Sequence, residues 1–201
     1  MKKFLALSGF VFALALTGCS QVGAAATIGG TKITQATVQS SIDSILGARA
    51  GVDTSQMQLE TGAALNLSQL RFHLLTVLFR KTGEELKLSV SKAEIDTRRA
   101  EILEQIGGEA GLPEALVSAG IAADDLDAYL EAMLISDKIS QAITSGGVPQ
   151  EQVGLELQKL IVAKAKELGV TINPRYGKWD PASADVIPVD SASPAVTPAT
   201  K

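Results

Sequence analysis

Chemistry-bearing side chains are scarce in this sequence. Its 201 residues include one Cys and one His, and aromatic residues make up 4%. A single Cys forms no internal disulfide, and one Cys with one His excludes Cys/His zinc sites and every motif built on two histidines. Positive charge is also in deficit, with 18 Lys+Arg against 22 Asp+Glu and a net charge of -4. That balance argues against a nucleic-acid binder, which needs a basic patch to neutralise phosphates. The longest apolar run, Phe4 to Leu16, is shorter than the ~20 residues that a membrane-spanning helix requires. At roughly 100 to 200 residues per domain, the chain holds one domain, or one domain and a tail.

The apolar run has a different reading. Lys2 and Lys3 precede it as a positive n-region, and Leu16-Thr17-Gly18-Cys19 follows it, so residues 1–18 are expected to be an export signal. The tetrapeptide matches the bacterial lipobox, with cleavage between Gly18 and Cys19 and attachment of a diacylglyceryl group to the Cys19 sulfur. One acyl chain holds a protein only marginally, and two or more of palmitate type hold it stably. The expected mature protein is a lipid-anchored lipoprotein on the extracytoplasmic face of the cell membrane, tethered through residues 19–24. Covalent diacylglycerol is the one non-protein group expected, with no other cofactor and no metal.

Removing Lys2 and Lys3 leaves 16 of the 18 cationic side chains, and Phe4, Phe10 and Phe12 leave with them. The core must therefore be aliphatic. From Pro181 to Lys201 the sequence has four of its seven prolines, many small residues and no aromatic, a composition that buries too little apolar area to offset its ordering entropy. A disordered tail is expected over 181–201 and a folded region over 25–180.

Within that region the pattern predicts a mainly α domain. Ala26-Thr27-Ile28 and Thr31-Lys32-Ile33 flank Gly29-Gly30 and read as a short β-hairpin. Thr34 caps a helix carrying Val38, Ile42, Ile45 and Leu46 on one face. A second helix, 63–86, has Leu67, Leu70, Leu74, Val77 and Leu78 on one side and Phe72, Leu75 and Phe79 on another. Ser91 and Glu94 form a capping box for a third helix, which buries Ile95, Ile102, Leu103 and Ile106 and stops at Gly107-Gly108. Pro113 opens a short helix, a fifth runs from about Asp124 to Gly146, and a sixth occupies Gln150 to Leu168. Val170 to Ile172 is extended, as is Asn173 before Pro174.

This order resembles the N-terminal domain of the SurA and PrsA extracytoplasmic chaperones. The resemblance rests on Ala26-x-Ile28-Gly29-Gly30-x-x-Ile33-Thr34 leading into a helix, and on a long helix running into Leu88-Ser89-Val90-Ser91-x-x-Glu94-Ile95. A short helix and turn before a long helix complete the pattern. Asn173-Pro174-Arg175-Tyr176-Gly177-x-Trp179 is similar to the ending of SurA-like lipoproteins of actinobacteria. The resemblance implies a multi-helix domain whose hairpin and last helix pack together around a sheet of two or three strands. It also implies a non-catalytic chaperone or peptide-binding role in protein folding, with unfolded or extended polypeptides as partners. The parvulin prolyl-isomerase domain of that family is missing, because only about eleven residues, 144–154, stand where it would be inserted and a domain needs ~50. No enzyme activity is expected. A scaffold lipoprotein docking one envelope partner is the alternative.

Several residues invite a functional reading. His73 is either a general base or pH sensor, or an incidental side chain of the second helix; with no Ser-Asp arrangement discernible beside it and no G-x-S-x-G elbow, the plainer reading is favoured. Gly107-Gly108-Glu109-Ala110-Gly111 follows a helix and lacks Lys-Ser/Thr, so it reads as a helix stop. Asp124, Asp125 and Asp127 sit at a helix start, where carboxylates are favoured by the macrodipole. Tyr176 and Trp179 are expected to lock the C-terminal segment onto the domain. The candidate peptide-binding face is Phe72, Leu75 and Phe79 with Tyr129 and Met133, an assignment that stays open between groove and core.

Overall fold

The computed structural model describes residues 23–188. The signal 1–18, the lipid attachment at Cys19 and the rest of the tether as far as Val22 lie outside the described residues, as does the tail beyond Pro188. The fold is mainly helical: β1 (Ala24–Ile28), β2 (Thr31–Thr34), α1 (Gln35–Arg49), α2 (Gly62–Glu85), α3 (Lys92–Gln105), α4 (Leu112–Ala119), α5 (Leu126–Ser145), α6 (Gln150–Leu168), β3 (Val170–Ile172), β4 (Lys178–Asp180) and β5 (Asp185–Ile187). Short 3-10 turns at Glu109–Gly111 and Ala123–Asp125 lead into α4 and α5.

The hairpin forms where the glycine pair predicts it. Gly29 and Gly30 have φ of 54° and 79°, the left-handed values a two-residue turn demands. A Cβ on Gly29 would approach Leu168 Cδ2 to 2.7 Å, so the turn also admits the end of α6. β1 pairs antiparallel with β2 on one side and with β3 on the other, giving the order β2-β1-β3. The sheet begins at Ala24, one residue before the expected boundary, and Asn173 continues the seam by donating its backbone N–H to the Ala25 carbonyl at 2.8 Å.

Local signals place the helices. The Thr34 side chain accepts from the Thr37 N–H at 2.9 Å, and Ser91 with Glu94 completes the capping box, which together satisfy N–H groups that α1 and α3 leave unpaired at their starts. The main core lies where β1, α1, α2 and α6 meet: Ile28, Val38, Ile45, Leu70, Leu74 and Leu78 are each at most 2% exposed. A smaller cluster of Leu116, Leu126 and Leu130 sits between α4 and α5, with Ile95 and Ile102 of α3 packed against it.

Three expectations are corrected. Leu46 is 47% exposed, because α1 is covered along Val38–Ile42–Ile45 and Leu46 falls past the edge of that stripe. α3 has no fully buried residue; among the described residues its main helical neighbour is α5, so Ile95, Ile102, Leu103 and Ile106 are covered from one side and remain half-buried. The stretch from Pro181 is structured as far as Pro188. It turns and pairs as β5 with β4, Val186 opposite Trp179, and Val186 is 1% exposed. Arg71 holds this hairpin on α2, with Nε 2.8 Å from both the Asp185 carboxylate and the Val186 carbonyl. Tyr176 and Trp179 pack against the main core. No described helix is long and apolar enough to cross a membrane.

Candidate functional site

Two places combine polar side chains with a cleft. The first is a junction where α1 and α2 meet the connection between α4 and α5. The inward stripe of α1, otherwise Val38, Ile42 and Ile45, includes Ser41, and α2 turns Gln69 and His73, one helical turn apart, toward the same spot. Gln69 Nε2 donates to the Gly120 carbonyl at 2.9 Å, tying down the end of α4. His73 Nε2 lies 2.9 Å from Ser41 Oγ, and Ser41 Oγ donates to Asp125 Oδ2 at 2.5 Å. Ser41, Gln69 and His73 are all buried.

The proton inventory fixes the roles. A hydroxyl has one hydrogen and two lone pairs. At 2.5 Å the Ser41 hydrogen goes to Asp125, so Ser41 Oγ accepts from His73, which requires the proton on Nε2. Burial pushes the His73 imidazole below its ordinary value, and the Asp125 carboxylate opposes that shift. His73 Nε2 and Asp125 Oδ2 are 4.0 Å apart with the hydroxyl between them. This differs from a hydrolytic triad, in which the carboxylate holds the far ring nitrogen and the base takes the serine proton. Here both partners converge on one hydroxyl, and Ser41 is 4% exposed in mid-helix. The three side chains form a clasp between helices. A cleft of about 350 Å³ opens over it, lined by Thr37, Ser40, Ser44 and Asp124 as well as Ser41 and Asp125.

The second place is a wider cleft of about 810 Å³ between the α1–α2 loop and the start of α4. Asp53, Gln56 and Met57 line it from the loop; Ile106, Glu114 and Ser118 line it from the other side. The Ser55 N–H donates to the Asp53 carboxylate at 3.0 Å and holds its pKa below the usual carboxylate range.

The sequence-predicted peptide-binding residues are distributed otherwise. Leu75 is 39% exposed; Phe72, Phe79, Tyr129 and Met133 are half-buried. Phe79 packs against the main core and Tyr129 against the smaller cluster. Phe72 meets the His73 ring edge-on, with centroids 5.1 Å apart. Of these five residues the structure thus packs Phe79 and Tyr129 on different clusters. Gly107 to Gly111 stops α3 and turns into α4, as read from sequence, and Asp127 at the start of α5 pairs with Arg99 of α3.

Sequence reasoning passed over Ser41 and Gln69, read Asp125 only as a helix-start carboxylate, and saw no Ser-Asp arrangement beside His73, where the structure places Ser41 and Asp125. The available signal was polarity in the wrong place, since Ser41 interrupts an apolar stripe and Gln69 and His73 share one face of a helix whose neighbours are core. Comparison with protein-family models, with curated proteins and with solved structures gave no match to this chain.

Proposed function

We propose that this chain is a lipid-anchored, extracytoplasmic lipoprotein that binds unfolded or extended polypeptides without catalysing a reaction on them, in the manner of the SurA-like N-terminal domains it resembles. Export over residues 1–18 and diacylglycerol on Cys19 put it at the cell membrane. The observation that carries the binding role is the 810 Å³ cleft. Met57 and Ile106 supply apolar contact there, and Gln56 and Ser118 supply hydrogen bonds to a passing backbone, the combination an extended peptide requires.

Charge sharpens the choice of client. From Ala50 to Leu70 the chain has Asp53 and Glu60 and no Lys or Arg; from Ala100 to Asp137 it has nine carboxylates and again no Lys or Arg. Both walls of the cleft come from these stretches, so segments with a Lys or Arg beside an aliphatic residue are favoured.

The chain from Ser20 onward is expected to suppress aggregation of an unfolded client and to select basic-aliphatic members of a peptide array. Asp53→Lys with Glu114→Lys, both exposed positions, should weaken those members about tenfold or more while the domain stays folded. A chain with no holdase effect that binds no member of the array ends the chaperone reading. Crosslinking in cells to one stoichiometric partner, in place of many clients, selects the scaffold role. Cys19→Ala should abolish acyl labelling and membrane retention.

A further inference from the structure

We propose that Ser41, His73 and Asp125 form a proton-operated clasp, closed while the imidazole is neutral and opened by its protonation, which frees the α4–α5 connection from α1 and α2. The geometry assigns this role. The three side chains come from three separate elements, and their two hydrogen bonds of 2.9 and 2.5 Å are among the few polar links across that junction, with Gln69 to Gly120 beside them. The His→Ser→Asp polarity needs a proton on Nε2, and that N–H persists when a second proton reaches Nδ1, so what protonation adds to the clasp is charge at a buried position.

A second proton creates a buried imidazolium at the meeting of α1 and α2. A buried cation without sufficient compensation is driven toward water. Water has a route, because Ser41 and Asp125 themselves line the 350 Å³ cleft above the clasp.

The charges around His73 are few. From the 3-10 turn come Asp125, the one group whose charge acts on the imidazole, and Asp124, which lines the cleft. The face of α1 offers hydroxyls of Thr37, Ser40, Ser41 and Ser44 and no ionisable group. β1, packed against α2, has the sequence Ala-Ala-Ala-Thr-Ile. On α5, Glu131 is held by Arg80 and Asp127 by Arg99. On β5, Asp185 is held by Arg71, and on α6 Lys164 lies between Glu85 and Glu167 at the far end of α2. One carboxylate therefore opposes the burial that disfavours the cation, and burial is the larger effect.

The direction in pH follows from linkage. The unfolded or opened chain holds the His73 proton more tightly than the closed one, so stability of the junction is full above about pH 6.5 and falls as pH drops below it. The loss ends once the closed form is itself protonated. Each pH unit by which the closed imidazole is depressed corresponds to roughly a tenfold shift in the opening equilibrium. Opening lifts Ala122, which packs into the main core from the α4–α5 connection, off α1 and α2, and so exposes apolar surface there.

The test uses the full chain in detergent, where the one His gives a single imidazole signal. Its NMR titration should fall below the unfolded value, and Asp125→Asn should lower it further. Hydrogen exchange of amides in 38–45 and 120–126, corrected for intrinsic rate, should rise on the order of tenfold between pH 7.5 and pH 5. His73→Gln, which keeps a donor and cannot titrate, should remove that rise. A wild-type imidazole that titrates at or above the unfolded value overturns the clasp, and so does exchange that is unchanged between the two pH values or that rises equally in His73→Gln. Where His73→Gln does not fold, the wild-type titration and its exchange at the two pH values decide.

Discussion

The two hydrophobic clusters of this domain are held by different physics. Among the described residues the main core buries seventeen side chains drawn from both ends of the fold, whereas the cluster under α3 and α4 buries three. Burial is worth ~25 cal/mol per Å² of apolar surface, so the first region is maintained by area. The second relies on charge at its rim. Arg98 pairs with Asp137 at 3.0 Å, Lys138 with Glu94 at 2.6 Å, and Arg99 with Asp127, all joining α3 to α5. Exposed pairs of this kind contribute little and are screened by salt. The difference teaches where the molecule opens: α3 and α4 are the low-stability end of a domain whose other half is closed by a sheet.

Paired truncations give the largest expected effect. Leu70 and Leu130 are each 0% exposed, and Leu→Ala in a core costs about 2–5 kcal/mol. Leu70→Ala should lower the thermal midpoint of the whole domain, followed by circular dichroism. Leu130→Ala should instead raise hydrogen exchange in α3, α4 and the start of α5 and leave β1 and α2 protected. Equal loss of protection in both regions after Leu130→Ala would show one cooperative unit and remove the contrast.

A smaller effect is expected at the α3 cap. Ser91 Oγ accepts from the Glu94 N–H at 3.3 Å, and the Ser91 N–H donates to Glu94 Oε2 at 2.8 Å. Ser91→Ala should cost about 1 kcal/mol, visible as faster exchange in α3 alone; a matching loss in α1 would count against the separation.

The smallest is the response of α3 to acid. Lys138 and then the Ser91 N–H hold the Glu94 carboxyl down to about 2. A depressed carboxylate contributes stability above its unfolded value near 4.3, and loses it as pH falls from there toward 2. Mild acid, between about pH 4 and pH 2, should therefore loosen α3 beyond what Lys138→Met does on its own. An α3 whose exchange tracks pH identically in wild type and Lys138→Met would show that the pair contributes nothing. This response begins near pH 4.3, below the onset of the His73 response near pH 6.5, so the two start at different points of one titration.

Local signals made most of this fold legible in sequence. Thr34, the Ser91–Glu94 box, Pro113 and the glycine pairs each act within a few residues, and the structure puts an element boundary at every one. The features that escaped are non-local. β5 is three residues in a Pro/Ala/Ser-rich stretch, and it becomes a strand because Arg71, on a helix far upstream, binds Asp185 and Val186. The clasp escaped for the same reason: Ser41 and His73 are separated by 32 positions and Ser41 and Asp125 by 84, and no periodicity links them. Phe72, Leu75 and Phe79 were readable as a helix face, but that Phe79 packs on the main core while Leu75 stays exposed depends on neighbours that helix spacing does not encode.

The pairing of β1 with β3 has a consequence for how the molecule comes into being. The first strand of the fold finds one of its two partners at Val170 to Ile172, after all six helices. Contacts between such distant segments are slow to form. During synthesis the central strand must wait, half paired, until nearly the whole domain has left the ribosome. A chain with that order of events completes its central sheet only when synthesis of the domain is nearly finished.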